Sequence, residues 1–364
     1  MRIAVLAPLV TPVAEPQIGG SQALLADLAR GLAERGHDVR VYAATGSRIE
    51  GVDVVDTGVR PETLRATLFR ADGGEGAPGE AVEAARAAFE RAGSMIADDR
   101  PEVVHAHAFD APAVDVAAGL GLPVVQVLHL PPDQSVADAV RTAVAAGGPF
   151  RVVTVSQAMR AAWAGAGVDA GVIRPGVPVD RVPWRAEPGS GALFAGRLSP
   201  EKGAPDAIAI AAEAGLPLTI VGPPYDEPHA REVAGLAAAS GATMTGPVER
   251  ERLWALMAAS AVVLCPIRWD EPFGLVAAET QCAGTPVVGY RRGALPEVVL
   301  EGRTGVLVDE GDRAAAAAAV GTALAFDRGA IRRHAEDDLA LRPAVDAFEA
   351  RSIELAPSAG RGVR

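Results

Sequence analysis

Ala261–Val288 reads AVVLCPIRWDEPFGLVAAETQCAGTPVV. Val262–Cys265 is a short, uncharged run rich in β-branched side chains, the pattern of a buried strand. An irregular turn follows from Pro266 to Gly274, carrying Arg268, Trp269, Asp270, Glu271 and Pro272. A helix is expected from near Gly274 to Gly284, which with Pro286 forms a stop signal. Pro286–Tyr290 then supplies a second strand and closes a strand–helix–strand unit. Glu271 on the loop and Glu279 within the helix stand eight residues apart. Fully helical spacing would separate them by about 12 Å. That suits two ends of one elongated polar ligand and exceeds the roughly 5–9.5 Å between the paired carboxylates of a glycoside hydrolase. The N–H groups of Phe273, Gly274 and Leu275 fall at the helix start, where phosphate or hydroxyl oxygens can be held. Spacing alone fits a surface loop with ordinary exposed glutamates equally well.

Outside this stretch, composition narrows the class. A chain of 364 residues is long for one core and natural for two domains. Aromatics make up 4%, so the core must be built from many small aliphatic side chains. The opening Met1–Ala7 run is too short for a secretory signal and reads as a first strand. No run has the length of a membrane span without Gly, Pro or charge. Cys265 and Cys282 fall in the strand and helix just described, are expected reduced and buried, and have no metal-site spacing. These features predict a cytoplasmic enzyme. A net charge of −12 argues against nucleic acid or an anionic membrane surface as partner, and Arg361 and Arg364 are too few to reverse it. Of 34 basic residues a single one, Lys202, is lysine, and asparagine is absent. Against such a bias the surviving lysine stands out.

In chain order, Arg2–Leu6 predicts a strand and Ala7–Ile18 a loop. Gly19-Gly20 leads into a helix, Ser21–Glu34, with Leu24, Leu25, Leu28 and Leu32 on one face, and Asp38–Ala43 is the next strand. Glycines just before a helix let backbone approach a phosphate, although a simple turn explains the pair as well. Gly58–Gly79 reads as loop with some helix, Glu80–Asp98 as helix and Pro101–His105 as strand. Strand alternation points His105 and His107 the same way, provided the strand continues that far. Pro123–His129 is a strand ending at His129, which can reach an acceptor because ligands gather at the carboxyl ends of parallel strands. Asp133–Ala146 is read as helix, Phe150–Val155 as strand, and Ser156 as N-cap of a helix over Gln157–Gly165. Ala170–Pro188, dense in Gly, Pro and Arg, marks a domain boundary. Beyond it, Ala192–Arg197 is a strand whose turn, Leu198–Gly203, enters a helix. Leu218–Gly222 is a strand followed by a long loop to Pro228, Thr243–Pro247 another, and Glu249–Ala258 a helix. After the central unit come the strand Gly305–Val308, a helix over Arg313–Phe326 and a last helix near Ala344–Leu355. The residues from Ser358 read as disordered.

Three blocks carry a resemblance. Glu271-Pro272-Phe273-Gly274-Leu275 with Glu279, then Ala283–Val288 and Gly293-x-x-Pro296-Glu297-Val298, resemble the signature of family 4 glycosyltransferases, as does Gly196-Arg197-Leu198 leading to Lys202-Gly203. The stretch EVVHAHAFDAPA is similar to that family's strand-end histidine motif. The resemblance implies a GT-B fold, two facing Rossmann-like domains with a cleft between them. Residues 1–172 would form the N-terminal, acceptor-side domain, joined by a final helix at about 341–357, and residues 173–340 the C-terminal, nucleotide-sugar donor domain. It implies a retaining transferase using a UDP-, GDP- or TDP-sugar and a small-molecule acceptor.

By the same resemblance His107, with His105 as the alternative, reaches the sugar near the reacting carbon, and Gly19 and Gly20 lie beside the donor diphosphate. The family commonly has Thr-Glu after that pair, where this chain has Ser21-Gln22. Arg197, Lys202 and the amides of Phe273, Gly274 and Leu275 would stabilise charge on the diphosphate. Glu271 would bind sugar hydroxyls, Glu279 the ribose, and the segment around Val248 would lie along the base. No cofactor is expected beyond the nucleotide sugar. No Asp-x-Asp occurs in the chain, so a metal clamp has no candidate. A GT-B sugar phosphorylase and a non-catalytic nucleotide-sugar-binding protein are the alternatives. A dinucleotide oxidoreductase is disfavoured, since no G-x-G-x-x-G follows the first strand.

Overall fold

Parallel strands buried on both faces need continuous Val, Ile and Leu runs rather than alternation. Among the described residues thirteen short strands form, all in parallel pairs, and most of them are such runs. The computed structural model describes residues 1–64 and 79–356. Most of the stretch read as loop over Gly58–Gly79, and the tail from Ser358, lie outside the described residues. Two compact units are present. The first comprises Met1–Ala14, Ser21–Arg174 and the segment from Arg342; the second comprises Glu15–Gly20 and Pro175–Leu341. The segment leading into the first helix, with Gly19 and the helix's first residue Gly20, thus belongs to the second unit.

The first unit runs β1 (Arg2–Leu6), α1 (Gly20–Glu34), β2 (Asp38–Ala43), β3 (Asp53–Asp56), α2 (Gly79–Asp99), β4 (Val103–Ala106), α3 (Ala111–Gly119), β5 (Val124–Leu128), α4 (Gln134–Ala145), β6 (Phe150–Thr154), α5 (Gln157–Gly165) and β7 (Gly171–Val172). Its sheet has the order β3-β2-β1-β4-β5-β6-β7. Asp133 caps α4 through Ser135 N and Val136 N, a role the sequence reading did not assign, and Ser156 caps α5 through Met159 N, as the sequence predicts.

The second unit runs β8 (Ala192–Ala195), α6 (Ala204–Glu213), β9 (Leu218–Val221), α7 (Glu227–Ser240), β10 (Thr243–Gly246), α8 (Arg250–Ala259), β11 (Val262–Cys265), α9 (Leu275–Cys282), β12 (Val287–Tyr290), α10 (Leu295–Val298), β13 (Gly305–Val308), α11 (Arg313–Ala323) and α12 (Arg328–Asp338). Its sheet order is β10-β9-β8-β11-β12-β13. A core of small side chains, among them Ala204, Ala207, Ala211, Ala316 and Ala323, lies against Phe194, Ile220, Leu264 and Val288. The final helix, α13 (Leu341–Leu355), returns to the first unit from Arg342 onward.

Two readings need correction. The loop expected up to Pro228 gives way at Glu227 to α7, in which Pro228 sits in the first turn, where its missing N–H costs nothing. The helix expected over Arg313–Phe326 stops at Ala323, and a separate α12 follows. Helix α9 does begin beside Gly274, which is its left-handed N-cap (φ 89°). Among the described residues no single helix is long and apolar enough to cross a membrane.

Candidate active site

Each sheet reverses its strand order once, and in parallel α/β sheets the loops at that point form the ligand crevice. In the second unit the reversal lies between β8 and β11. The loop after β8 carries Arg197 and Lys202, and the loop after β11 carries Trp269 and Glu271. The two loops are tied by a backbone bond, Arg268 N to Glu201 O at 2.8 Å. Across them the Lys202 ammonium donates to Glu271 Oε2 at 2.7 Å, and Trp269 Nε1 donates to the same oxygen at 2.6 Å. The ammonium also sits 5.0 Å from the Trp269 ring centroid. Arg197 is held differently. It pairs with Glu201 Oε1 at 3.1 Å, and its guanidinium lies 4.3 Å from the Tyr225 ring centroid. Sequence reasoning singled out Lys202 and Glu271 but not their mutual bond, nor Trp269, Tyr225 and Glu201.

Glu271 is fixed from behind by its backbone. Its carbonyl accepts from Ala294 N at 2.8 Å, and a side chain at Gly293 (φ 56°) would come within 2.3 Å of Glu271 N. That contact explains a glycine in the Gly293-x-x-Pro296 block, a reason the motif alone does not state. Next to it, among the described residues, the backbone N–H groups of Phe273, Gly274 and Leu275 donate no hydrogen bond. A methyl group added at Gly20 would stand 3.6 Å from Leu275 Cδ2, so Gly20 reaches this turn. Val248 is half-buried just before α8. One helical turn beyond Leu275, Glu279 is buried and its Oε1 accepts from Arg250 Nε at 2.5 Å and Trp254 Nε1 at 2.9 Å. Arg250 and Trp254 were missed as well. The α8 segment could be flagged from sequence, but not which of its residues turn toward α9.

Burial pushes the Cys265 thiol up to about 12, with Glu271 adding to the effect and Lys202 partly offsetting it. Burial likewise raises Cys282 to about 12. Both thiols are free and protonated at neutral pH, which leaves neither as a nucleophile.

The first unit reverses strand order between β1 and β4. Strand β4 ends at Ala106, but His107 N still donates to Leu6 O at 2.9 Å, which carries its ring past the strand end. His107 Nδ1 lies 2.9 Å from His129 Nε2, so one proton is shared between two rings. Burial, then the neighbouring His129 and His105, hold His107 well below the ordinary histidine range, and burial lowers His129 to about 4. Both rings are neutral at pH 7. Among the described residues His107 Nε2 is buried without a partner. His105 turns to α13 instead, 2.7 Å from Ser352 Oγ, with its pKa lowered by burial to about 3.

This geometry has counterparts. A family model described as "Glycosyl transferases group 1" matches residues 185–334, and one described as "Glycosyltransferase Family 4" matches residues 18–181. A D-inositol 3-phosphate glycosyltransferase of Xylanimonas cellulosilytica is 32% identical over 379 residues, covering 90% of this chain and 89% of that protein. The chain belongs to the family 4 glycosyltransferases. Solved relatives share its architecture. Sucrose-phosphate synthase from Thermosynechococcus elongatus has a TM-score of 0.79 at 18% identity, covering 98% of this chain and 99% of the other. Anabaena HepE in complex with UDP-glucose has a TM-score of 0.71 at 19% identity, covering 97% and 100%. The family 4 transferase thus has the GT-B fold, two parallel-sheet α/β domains.

Proposed function

We propose that this glycosyltransferase moves a sugar from a nucleoside diphosphate donor to a hydroxyl of a small acceptor, with retention of anomeric configuration and no metal. The observation that carries the donor reading is the Lys202–Glu271 pair beside three backbone amides that donate no bond. Cation and amides together can take the charge that grows on a departing diphosphate. Glu271, a carboxylate at the same point, accepts from sugar hydroxyls, and Arg197 adds a second cation. The bond between the anomeric carbon and the phosphate oxygen breaks, and a bond to the acceptor oxygen forms on the same face. The acceptor's proton passes to the leaving phosphate. Buried, protonated cysteines support a route without a cysteine intermediate. In the first unit the neutral His107 offers Nε2 to a substrate hydroxyl, and His129 orients it.

HepE in complex with UDP-glucose supports a nucleotide-sugar donor. The names D-inositol 3-phosphate glycosyltransferase and sucrose-phosphate synthase support a phosphorylated sugar or cyclitol as acceptor. The sequence has no Asp-x-Asp as a candidate metal clamp. Two free, buried thiols support a cytoplasmic setting.

The test is a thermal melt with UDP, GDP, ADP and TDP. One nucleotide should stabilise the fold clearly, since a ligand at about 100 times its dissociation constant adds roughly 2.7 kcal/mol. Four flat melting curves would end the donor reading.

A further inference from the structure

Arg250 is the first residue of α8, where the helix dipole disfavours a cation. Its neighbours explain it. The side chain is 10% exposed and bonds through Nε to Glu279 Oε1, while its guanidinium lies 4.8 Å from the ring centroid of Trp254, one helical turn on. Trp254 is buried and sends its own N–H to the same Glu279 oxygen. Arg250 N also donates to Glu15 Oε2 at 3.0 Å, which ties the segment holding Gly19 and Gly20 to this point. Two donors on one oxygen fix both the depth and the rotation of the Glu279 carboxylate, and neither falls on Oε2. Glu279 stands four residues, about 6 Å of helix rise, beyond Leu275 and on the same face. That is the distance from a diphosphate held by the Phe273–Leu275 amides to the ribose of the same nucleotide.

We infer that Arg250 and Trp254 are positioning residues that pin Glu279 Oε1 and aim Oε2 at the ribose hydroxyls of the donor nucleotide. The inference rests on the donor-site reading above. It distinguishes a recognition device from a buried ion pair that only stabilises the fold, because a structural pair has no stake in which hydroxyls the nucleotide carries. The arrangement also leaves Glu279 electrically paired, so it can face a ribose without repelling the neighbouring phosphates.

The experiment measures affinity of the full chain for UDP and GDP, each beside its 2′-deoxy and 3′-deoxy counterparts. Wild-type protein should prefer the ribose form of the nucleotide it binds by roughly ten- to a hundredfold, the scale of a hydrogen bond to a charged group. Arg250→Gln and Trp254→Phe should each bring that ratio close to one while deoxy affinity stays near the wild-type value. Arg250→Lys, which keeps a cationic donor, should restore part of it. If Trp254→Phe does not fold, the two Arg250 variants decide alone. Folded variants that keep the wild-type ratio would overturn the positioning role and leave the donor site standing. A wild-type protein that binds a diphosphate without preferring ribose would also overturn it. Binding of none of UDP, GDP, ADP and TDP would remove the donor site and this role together.

Discussion

Lys202 offers three N–H donors, and Glu271 takes one of them. With the side chain 17% exposed, the others remain within reach of an incoming anion. A lysine in this position serves the departing diphosphate more than the bound donor, because negative charge on the leaving group rises toward the transition state. Lys202→Ala should therefore lower kcat as well as raise KM. A charge-assisted contact is worth about 1.5–3 kcal/mol, so kcat/KM should fall roughly ten- to a hundredfold. Lys202→Arg should recover only part of the loss, since the planar fork cannot meet both Glu271 and a phosphate as a compact ammonium does. Unchanged kcat and KM in Lys202→Ala would take the residue out of the chemistry. The sequence makes both partners visible, Lys202 by its rarity and Glu271 by its motif. Their bond is not visible, because it joins residues 69 apart through two loops that only the strand order brings together.

Among elements, the strands are the most legible, since burial on both faces writes them as uninterrupted apolar runs. Helices are legible only where they bury an apolar stripe. Helix α12 escapes notice because much of what it buries is arginine. Arg328 donates to the carbonyls of Ala258 and Ser260, and Arg332 to those of Cys282, Val179 and Val182. The short, half-exposed β3 and the two-residue β7 carry too little pattern to be read. Helix α13 shows how tightly elements constrain one another. A methyl group added at Gly31 in α1 would lie 2.7 Å from Val345 Cγ2, well inside contact distance. Helix propensity favours alanine over glycine by about 1 kcal/mol, while overpacking costs about 1–3 kcal/mol. Gly31→Ala should accordingly destabilise the protein or leave it level in denaturant unfolding, and Val345→Ala in the same chain should then relieve it. A clear rise in stability from Gly31→Ala alone would show that the two helices do not approach as described.

For the whole molecule, acidity is the condition to watch. His105, His107 and His129 are all held neutral in the fold, at about 3 for His105 and about 4 for His129, whereas an unfolded chain protonates each near its ordinary value of about 6.5. Between those limits the unfolded state binds more protons, so stability falls as pH falls, by about 1.4 kcal/mol per pH unit for each histidine. The loss begins below about pH 6.5 and continues through the folded pKa values. The chain also passes its isoelectric point, 5.1, inside this window, so the unfolding molecules have little net charge to keep them apart. Denaturant midpoints should drop from about pH 7 to about pH 5.5, and His129→Gln should flatten that slope by the share of one proton. Midpoints that do not move with pH would contradict the neutral cluster. The solitary lysine has a consequence for handling the molecule. Apart from the α-amino group, Lys202 is the chain's only primary amine, so a dye, cross-linker or resin aimed at amines couples either to the amino terminus or in the candidate active site. A reagent chosen elsewhere as a harmless tag is here a selective probe of one side chain.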